Sequence, residues 1–276
     1  MRRPALLAVL ACLAALPACR PSTADVMESA EASWRKGDYE KAIMLNRAVL
    51  ARDPKGKNGA LALLNIGNIY YRNLRQIRSA INTYSHLAQE FPGSPQEYQA
   101  RRCLAEIYAD ELKDATRAIA EYDRLLAMPQ LADAAEIRFR RADLYFKSEE
   151  FDRALRELLH IREEGVSGHL ADQVLLKMGA VYLAQKRFEE ALGPFQEVAR
   201  SPYPESRRQA ILGMTDAYEG LYDFDKAIAA IRRLDPSPEN EQRIAREVAR
   251  LEKRRRELES PAEIPGLVPG RARKRQ

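Results

Sequence analysis

Between residues 63 and 92 the apolar positions fall into two runs of helical spacing separated by a polar break. Leu63, Ile66, Gly67 and Tyr70 share one face of a first helix, and Ala80, Ile81, Tyr84 and Leu87 share one face of a second. Gly67 and Ala80 are small where two helices must approach closely. Phe91-Pro92-Gly93 then stops the second helix, because proline lacks the amide donor and restricts the residue before it. A hairpin of this kind cannot bury both of its faces alone, so the pattern predicts stacked neighbours.

Those neighbours are found by aligning on the small residue that opens the second helix. Ala42, Ala80, Ala118, Ala154, Ala191 and Ala227 follow one another at spacings of 38, 38, 36, 37 and 36 residues. Tyr70, Tyr108, Tyr145, Tyr182 and Tyr218 precede five of these alanines at matching distances; in the first copy Ser33 holds that place and Trp34 follows it. Tyr39, Phe151, Phe188 and Phe224 stand three residues before their alanines, while copies two and three have one extra residue there and lack the aromatic. Aromatics and alanines in this register are core residues between helices. Residues 238–260, with Ile244, Val248, Leu251 and Leu258 in helical register, predict a polar capping helix. Pro194 falls inside the second helix of copy five, either in its first turn or at a kink.

The pattern resembles the tetratricopeptide repeat family, whose sequence of apolar, Leu-Gly, Tyr, Ala, aromatic and Pro positions is matched by Leu63, Ile66-Gly67, Tyr70, Ala80, Tyr84 and Pro92. The resemblance implies an all-α fold: an α-solenoid of about six helical hairpins over residues 25–236, a capping helix over 237–260 and a basic, disordered tail over 261–276. The extra length beyond the usual repeat of about 34 residues falls in turns such as 91–95, 163–168 and 201–204.

The first residues add an address. Arg2 and Arg3 form a positive start, residues 5–16 an apolar run of twelve, and Leu16-Pro17-Ala18-Cys19 resembles the lipobox of bacterial lipoproteins. Twelve residues are too few to span a bilayer. That resemblance implies a signal peptide over 1–18, lipidation (palmitate among the acyl chains) of Cys19 and a short tether over 19–24. Arg20, rather than aspartate, after the cysteine favours the outer membrane, with the protein facing the periplasm. The alternative is an ordinary secretory signal ending near Ala18, with Cys19 incidental. Once Cys12 leaves with the leader and Cys19 is acylated, only Cys103 remains and no intramolecular disulfide can form.

Charge narrows the partners. The formal net charge is +5, but four of the basic residues lie in the last six positions and Arg2 and Arg3 lie in the leader, leaving 39 basic against 40 acidic residues. A nearly neutral body argues against nucleic acid as its ligand. The sequence has no phosphate loop, nucleophile elbow or dinucleotide fingerprint, and His86, His160 and His169 lie in different repeats without metal-ligand spacing. His160 and Glu163 share a helical face, which by itself makes no site. The expectation is a protein without enzymatic activity, cofactor or metal.

A binding surface is what remains. In an α-solenoid the first helices of successive hairpins line the concave side. With Leu63, Ile66 and Tyr70 packed, Leu61, Asn65, Asn68 and Arg72 face the other way. The repeat period carries that face to Gln99, Cys103, Glu106 and Asp110; to Glu136, Arg140, Asp143 and Lys147; to Gln173 and Lys177; and to Gln209 and Asp216. Tyr71, Arg102 and Phe139 are placed at its edge. Such a groove suits an extended peptide held by Asn, Gln and Arg side chains, and it equally suits a solvated face with no dedicated ligand. Asn65 and Asn68 lie in one repeat, and the next offers Gln99 and Cys103, so the carboxylate clamp of some tetratricopeptide domains is not carried over.

A lipid, a short tether, about six repeats and a cap also resemble the lipoprotein subunit of the outer-membrane β-barrel assembly machinery (the BamD type), Tol-Pal-associated periplasmic repeat proteins and pilus-assembly lipoproteins. The resemblance implies a scaffold for envelope proteins. A lipoprotein binding peptidoglycan or another envelope polymer through the basic residues from Lys253 onward is the other class.

Overall fold

The computed structural model describes residues 21–129, 131–235 and 237–259. The expected signal peptide, Cys19 and the tail over 261–276 lie outside the described residues. Thirteen α-helices account for most of the described chain, and there is no strand among the described residues. They are α1 (Thr23–Arg35), α2 (Tyr39–Arg52), α3 (Lys57–Asn68), α4 (Ile77–Glu90), α5 (Pro95–Glu106), α6 (Ala115–Leu126), α7 (Ala134–Lys147), α8 (Phe151–Glu163), α9 (Gly168–Ala184), α10 (Phe188–Val198), α11 (Pro204–Gly220), α12 (Phe224–Ile231) and α13 (Pro238–Glu259). The chain forms two units, Met1–Leu104 and Ala105–Gln276, and each is described by itself.

Within each unit consecutive helices pack on one another: α1 on α2, α2 on α3 and α3 on α4 in the first, and the succession from α6 to α13 in the second. There, α9 also touches α7 and α11, the first helices of the neighbouring repeats. The six aligned alanines are all 0% exposed, which places each at a helix contact with no room for a larger side chain.

The hairpin turns share one construction. The carbonyls of Ser33, Tyr145, Tyr182 and Tyr218 accept from the amides of Asp38 (2.9 Å), Glu150 (2.8 Å), Arg187 (2.8 Å) and Asp223 (2.9 Å). The residue before each donor is left-handed: Gly37 (φ 81°), Glu149 (60°), Lys186 (59°) and Tyr222 (60°). This is a helix ending in which a left-handed residue lets the next amide reach back to an orphan carbonyl. Asp38 and Asp223 then cap α2 and α12 through the amides of Lys41 and Lys226.

The extra residue of repeats two and three has a structural destination. Each first helix runs into one π-helical turn, Ile69–Asn73 after α3 and Ile107–Glu111 after α5. A π-turn absorbs one inserted residue without breaking the helix. The turn then closes as elsewhere, Tyr70 accepting from Gln76 and Tyr108 from Asp114 at 2.8 Å, with Arg75 (54°) and Lys113 (52°) left-handed.

Close approaches are set by glycine. A Cβ on Gly67 would lie 2.5 Å from the Tyr84 ring. Phe195 of α10 sits between Gly179 of α9 and Gly213 of α11, where an added Cβ would come within 2.5 and 2.4 Å of its ring. Pro194, beside it, is buried in the interior of α10 rather than in its first turn. At the C-terminal end, Leu251 of α13 is fully buried against Phe224, Ala227 and Ile228, and Ile244 packs near Ile211, Ile231 and Leu234. Leu258, expected on the same stripe, is exposed because α13 extends past the helix it covers.

Candidate functional site

The sequence-expected face falls in two groups, one in each unit. In the first unit Asn65 and Asn68 of α3 do not point away from their neighbours as expected. Asn65 donates to Asn46 Oδ1 of α2 at 3.4 Å, and the Tyr84 hydroxyl of α4 donates to Asn68 Oδ1 at 2.8 Å. The physical reason is burial: Tyr84 is 0% exposed, its hydroxyl needs an acceptor, and the asparagine next to Gly67 supplies it. Burial, followed by the neighbouring Cys103 thiol, pushes the Tyr84 hydroxyl well above the usual tyrosine range. Cys103 is itself buried. Arg72 stays exposed. Tyr71 is half-buried with the Arg75 guanidinium 5.8 Å from its ring centre, and Arg102 lies 5.8 Å from the Tyr98 ring centre and donates to its hydroxyl at 3.3 Å. This group is an arginine and tyrosine surface rather than an asparagine ladder.

In the second unit the face is more open to solvent. Glu136 and Arg140 of α7 and Gln209 and Asp216 of α11 are exposed, Glu106 and Gln173 half-buried. Asp143 of α7 receives Lys177 of α9 at 2.6 Å and Lys147 at 2.7 Å, and the Lys177 ammonium lies 4.9 Å from the Phe146 ring centre. Burial opposes ionisation of Asp143, yet the two lysines outweigh it and hold the carboxyl below the usual aspartate value. Phe139 differs from the expectation: it packs against the core cluster around Ala142, Leu158 and Val174 instead of lining an edge. Asp216 is pushed the other way, by desolvation and then by Glu219 and Glu247.

Two ion networks were not found from the sequence. Arg141 of α7 pairs with Asp123 of α6 and with Glu157 of α8, the latter at 2.7 Å. Glu219, near the end of α11, has a side chain only 9% exposed and receives Arg250 and Arg254 of α13. The basic run 253–256 of the capping helix is thus partly engaged, with Arg254 held by a glutamate two residues before the turn that follows α11. The aligned tyrosines carry a further repeated contact: Arg117 lies over Tyr108 (4.8 Å), Arg153 over Tyr145 (5.6 Å), Arg187 over Tyr182 (4.7 Å) and Lys226 over Tyr218 (5.8 Å).

His160 pairs with Glu164 at 3.1 Å rather than with Glu163, and His169 lies beside Gln173 and the Tyr203 ring. Among the described residues no group of three or more His, Cys, Asp or Glu side chains is placed to hold a metal ion, and no helix is long and apolar enough to cross a membrane.

Tetratricopeptide repeat family models match residues 61–94, 111–165 and 139–207, so the chain carries tetratricopeptide repeats. Comparison with curated proteins gives no match. Among solved structures, a tetratricopeptide repeat protein from Parabacteroides merdae is 18% identical over 88% of this chain and 95% of its own, with a TM-score of 0.56. PilW, described as a widely conserved type IV pilus biogenesis factor, is 16% identical over 77% and 91%, with a TM-score of 0.50. The apo form of RapI is 15% identical over 86% and 74%, with a TM-score of 0.54. These likenesses establish the fold, an all-α solenoid of tetratricopeptide-like hairpins.

Proposed function

We propose that this chain is a protein-binding scaffold of a bacterial envelope, held at the outer membrane by a lipid on Cys19 and facing the periplasm, whose first helices present the partner surface. The observation that carries the binding reading lies in the second unit. There the first helices expose Glu136, Arg140, Gln209 and Asp216 off the packing stripe, while Asp143 and Lys177 join two of those helices into one fixed surface. A surface fixed by ion pairs between repeats loses less side-chain freedom when a partner docks. The envelope reading rests on residues 1–19 of the sequence.

Two experiments test the two halves. Cys19→Ser releases the protein from membranes, and continued fractionation with membranes contradicts the anchor. Crosslinking in cells, purification and identification of partners by mass should recover envelope proteins.

A role in pilus assembly is the second reading, favoured by the likeness to PilW. Recovery of pilus subunits or their assembly proteins selects it, whereas recovery of barrel proteins selects a BamD-like role and recovery of Tol-Pal components an adaptor of that system.

A further inference from the structure

On the side of the second helices, the first unit has a groove of about 380 Å³, flanked by α2 and α4 and floored by α3. Leu50, Leu63, Ile66 and Tyr70 make it apolar, and Arg47 and His86, both exposed, stand on its rims. Arg47 donates to the Tyr70 hydroxyl at 3.2 Å, which holds the guanidinium at the groove edge. Asn82 and Thr83 complete the lining, and no aspartate or glutamate is part of it. Asp53 and Glu90, at the ends of the two wall helices, are engaged elsewhere: Glu90 by Lys55, and Asp53 by the amide of Asn58.

One helix pair of the second unit, α8 and α10, is bridged at the equivalent position. Eight residues after Ala154 and six after Ala191 stand Arg162 and Glu197, which pair at 3.0 Å from α8 to α10. Eight residues after Ala42 and six after Ala80 stand Leu50 and His86. Leucine and histidine form no ion pair, so the groove between α2 and α4 lacks that bridge.

We propose that this groove docks a partner segment carrying apolar anchor residues flanked by carboxylates. The floor takes the apolar side chains, and Arg47 and His86 face the acids. The cost of docking is low because the floor is already formed, and the charge selects acidic over basic segments. This surface is distinct from the first-helix faces, and its test does not depend on them.

The probe is a labelled peptide of alternating leucine and glutamate, with a leucine–lysine peptide of equal length as control, titrated against the full chain by fluorescence anisotropy. The glutamate peptide should bind and the lysine peptide should not. Leu50→Arg with His86→Glu, which rebuilds the bridge seen between Arg162 and Glu197, should abolish binding with the helical circular dichroism intact. Arg47→Glu, at an exposed position that leaves the floor unchanged, should weaken the glutamate peptide by about tenfold and admit the lysine peptide. Arg72→Glu and Arg140→Glu, on the first helices, should change nothing. Absence of binding, equal binding of both peptides, binding that survives both groove variants, or dependence on Arg72 or Arg140 would overturn the proposal.

Discussion

Lys177 of α9 reaches across to Asp143 of α7 at 2.6 Å, joining the first helices of two successive repeats. Both side chains are 23% exposed, so the pair is screened less than a surface bridge, and Lys177→Met should cost about 1 kcal/mol. Its pH dependence has a definite sign. Asp143 has its folded carboxyl held below the usual value, so its contribution is present above about pH 4 and is lost as pH falls through the lowered folded value. Thermal unfolding of wild type and Asp143→Asn should differ at neutral pH and converge in acid; a difference that grows in acid would contradict the assignment.

Glycine to alanine should differ in cost at two positions, one packed on Phe195 and one beside it in the chain. At Gly213 the new Cβ would meet the Phe195 ring at 2.4 Å, and overpacking of this kind costs about 1–3 kcal/mol. At Gly193, exposed in the interior of α10, nothing beyond its chain neighbours lies within 4 Å, and alanine there should be nearly neutral, because the gain in helix propensity is offset by the contact of the new Cβ with the ring of Pro194. Denaturant midpoints of the two variants decide it; a stabilised Gly213→Ala would contradict the packing described.

The turns offer an opposed pair. Lys186 is held at φ 59° where glycine would be unstrained, whereas Gly37 occupies the equivalent place at φ 81°. Lys186→Gly should therefore stabilise by up to about 1 kcal/mol, and Gly37→Ala should destabilise by about 1 kcal/mol. Calorimetric midpoints moving the other way would show that the turns are held by something other than backbone conformation.

Glu219 latches the C-terminal helix. Its carboxyl is held below the usual range, chiefly by Arg250. Arg250 and Arg254 are nearly half exposed, so solvent screening limits the loss in Glu219→Gln to about 1–2 kcal/mol. Amide exchange should quicken over α13 before the rest of the chain responds. Uniform quickening would mean that α13 has no latch of its own.

The fold was legible in the sequence because repetition multiplies weak signals. A single alanine or tyrosine says little, whereas Ala42 through Ala227 at near-constant spacing identify every hairpin, and each of those alanines is fully buried. The surplus residue of repeats two and three was visible too, but a count cannot tell a longer loop from a π-turn, since the difference lies in which amide meets which carbonyl. The candidate face was legible only in part. Helical spacing placed Asp143 and Lys177 on a common side. It could not show that Tyr84, once buried, would claim Asn68, nor that Phe139 would turn inward, because both outcomes depend on neighbours supplied by other helices. The latch at Glu219 joins residues about thirty positions apart, beyond the reach of any local pattern.

The partner surface is tested most directly by placing a photo-crosslinking amino acid at Arg140, exposed on the first-helix face of α7, and at Gln196, exposed on the second helix α10, in the intact cell. The account predicts discrete adducts with an envelope protein from position 140 and none from position 196. Adducts from 196 alone, or from neither position, would contradict it.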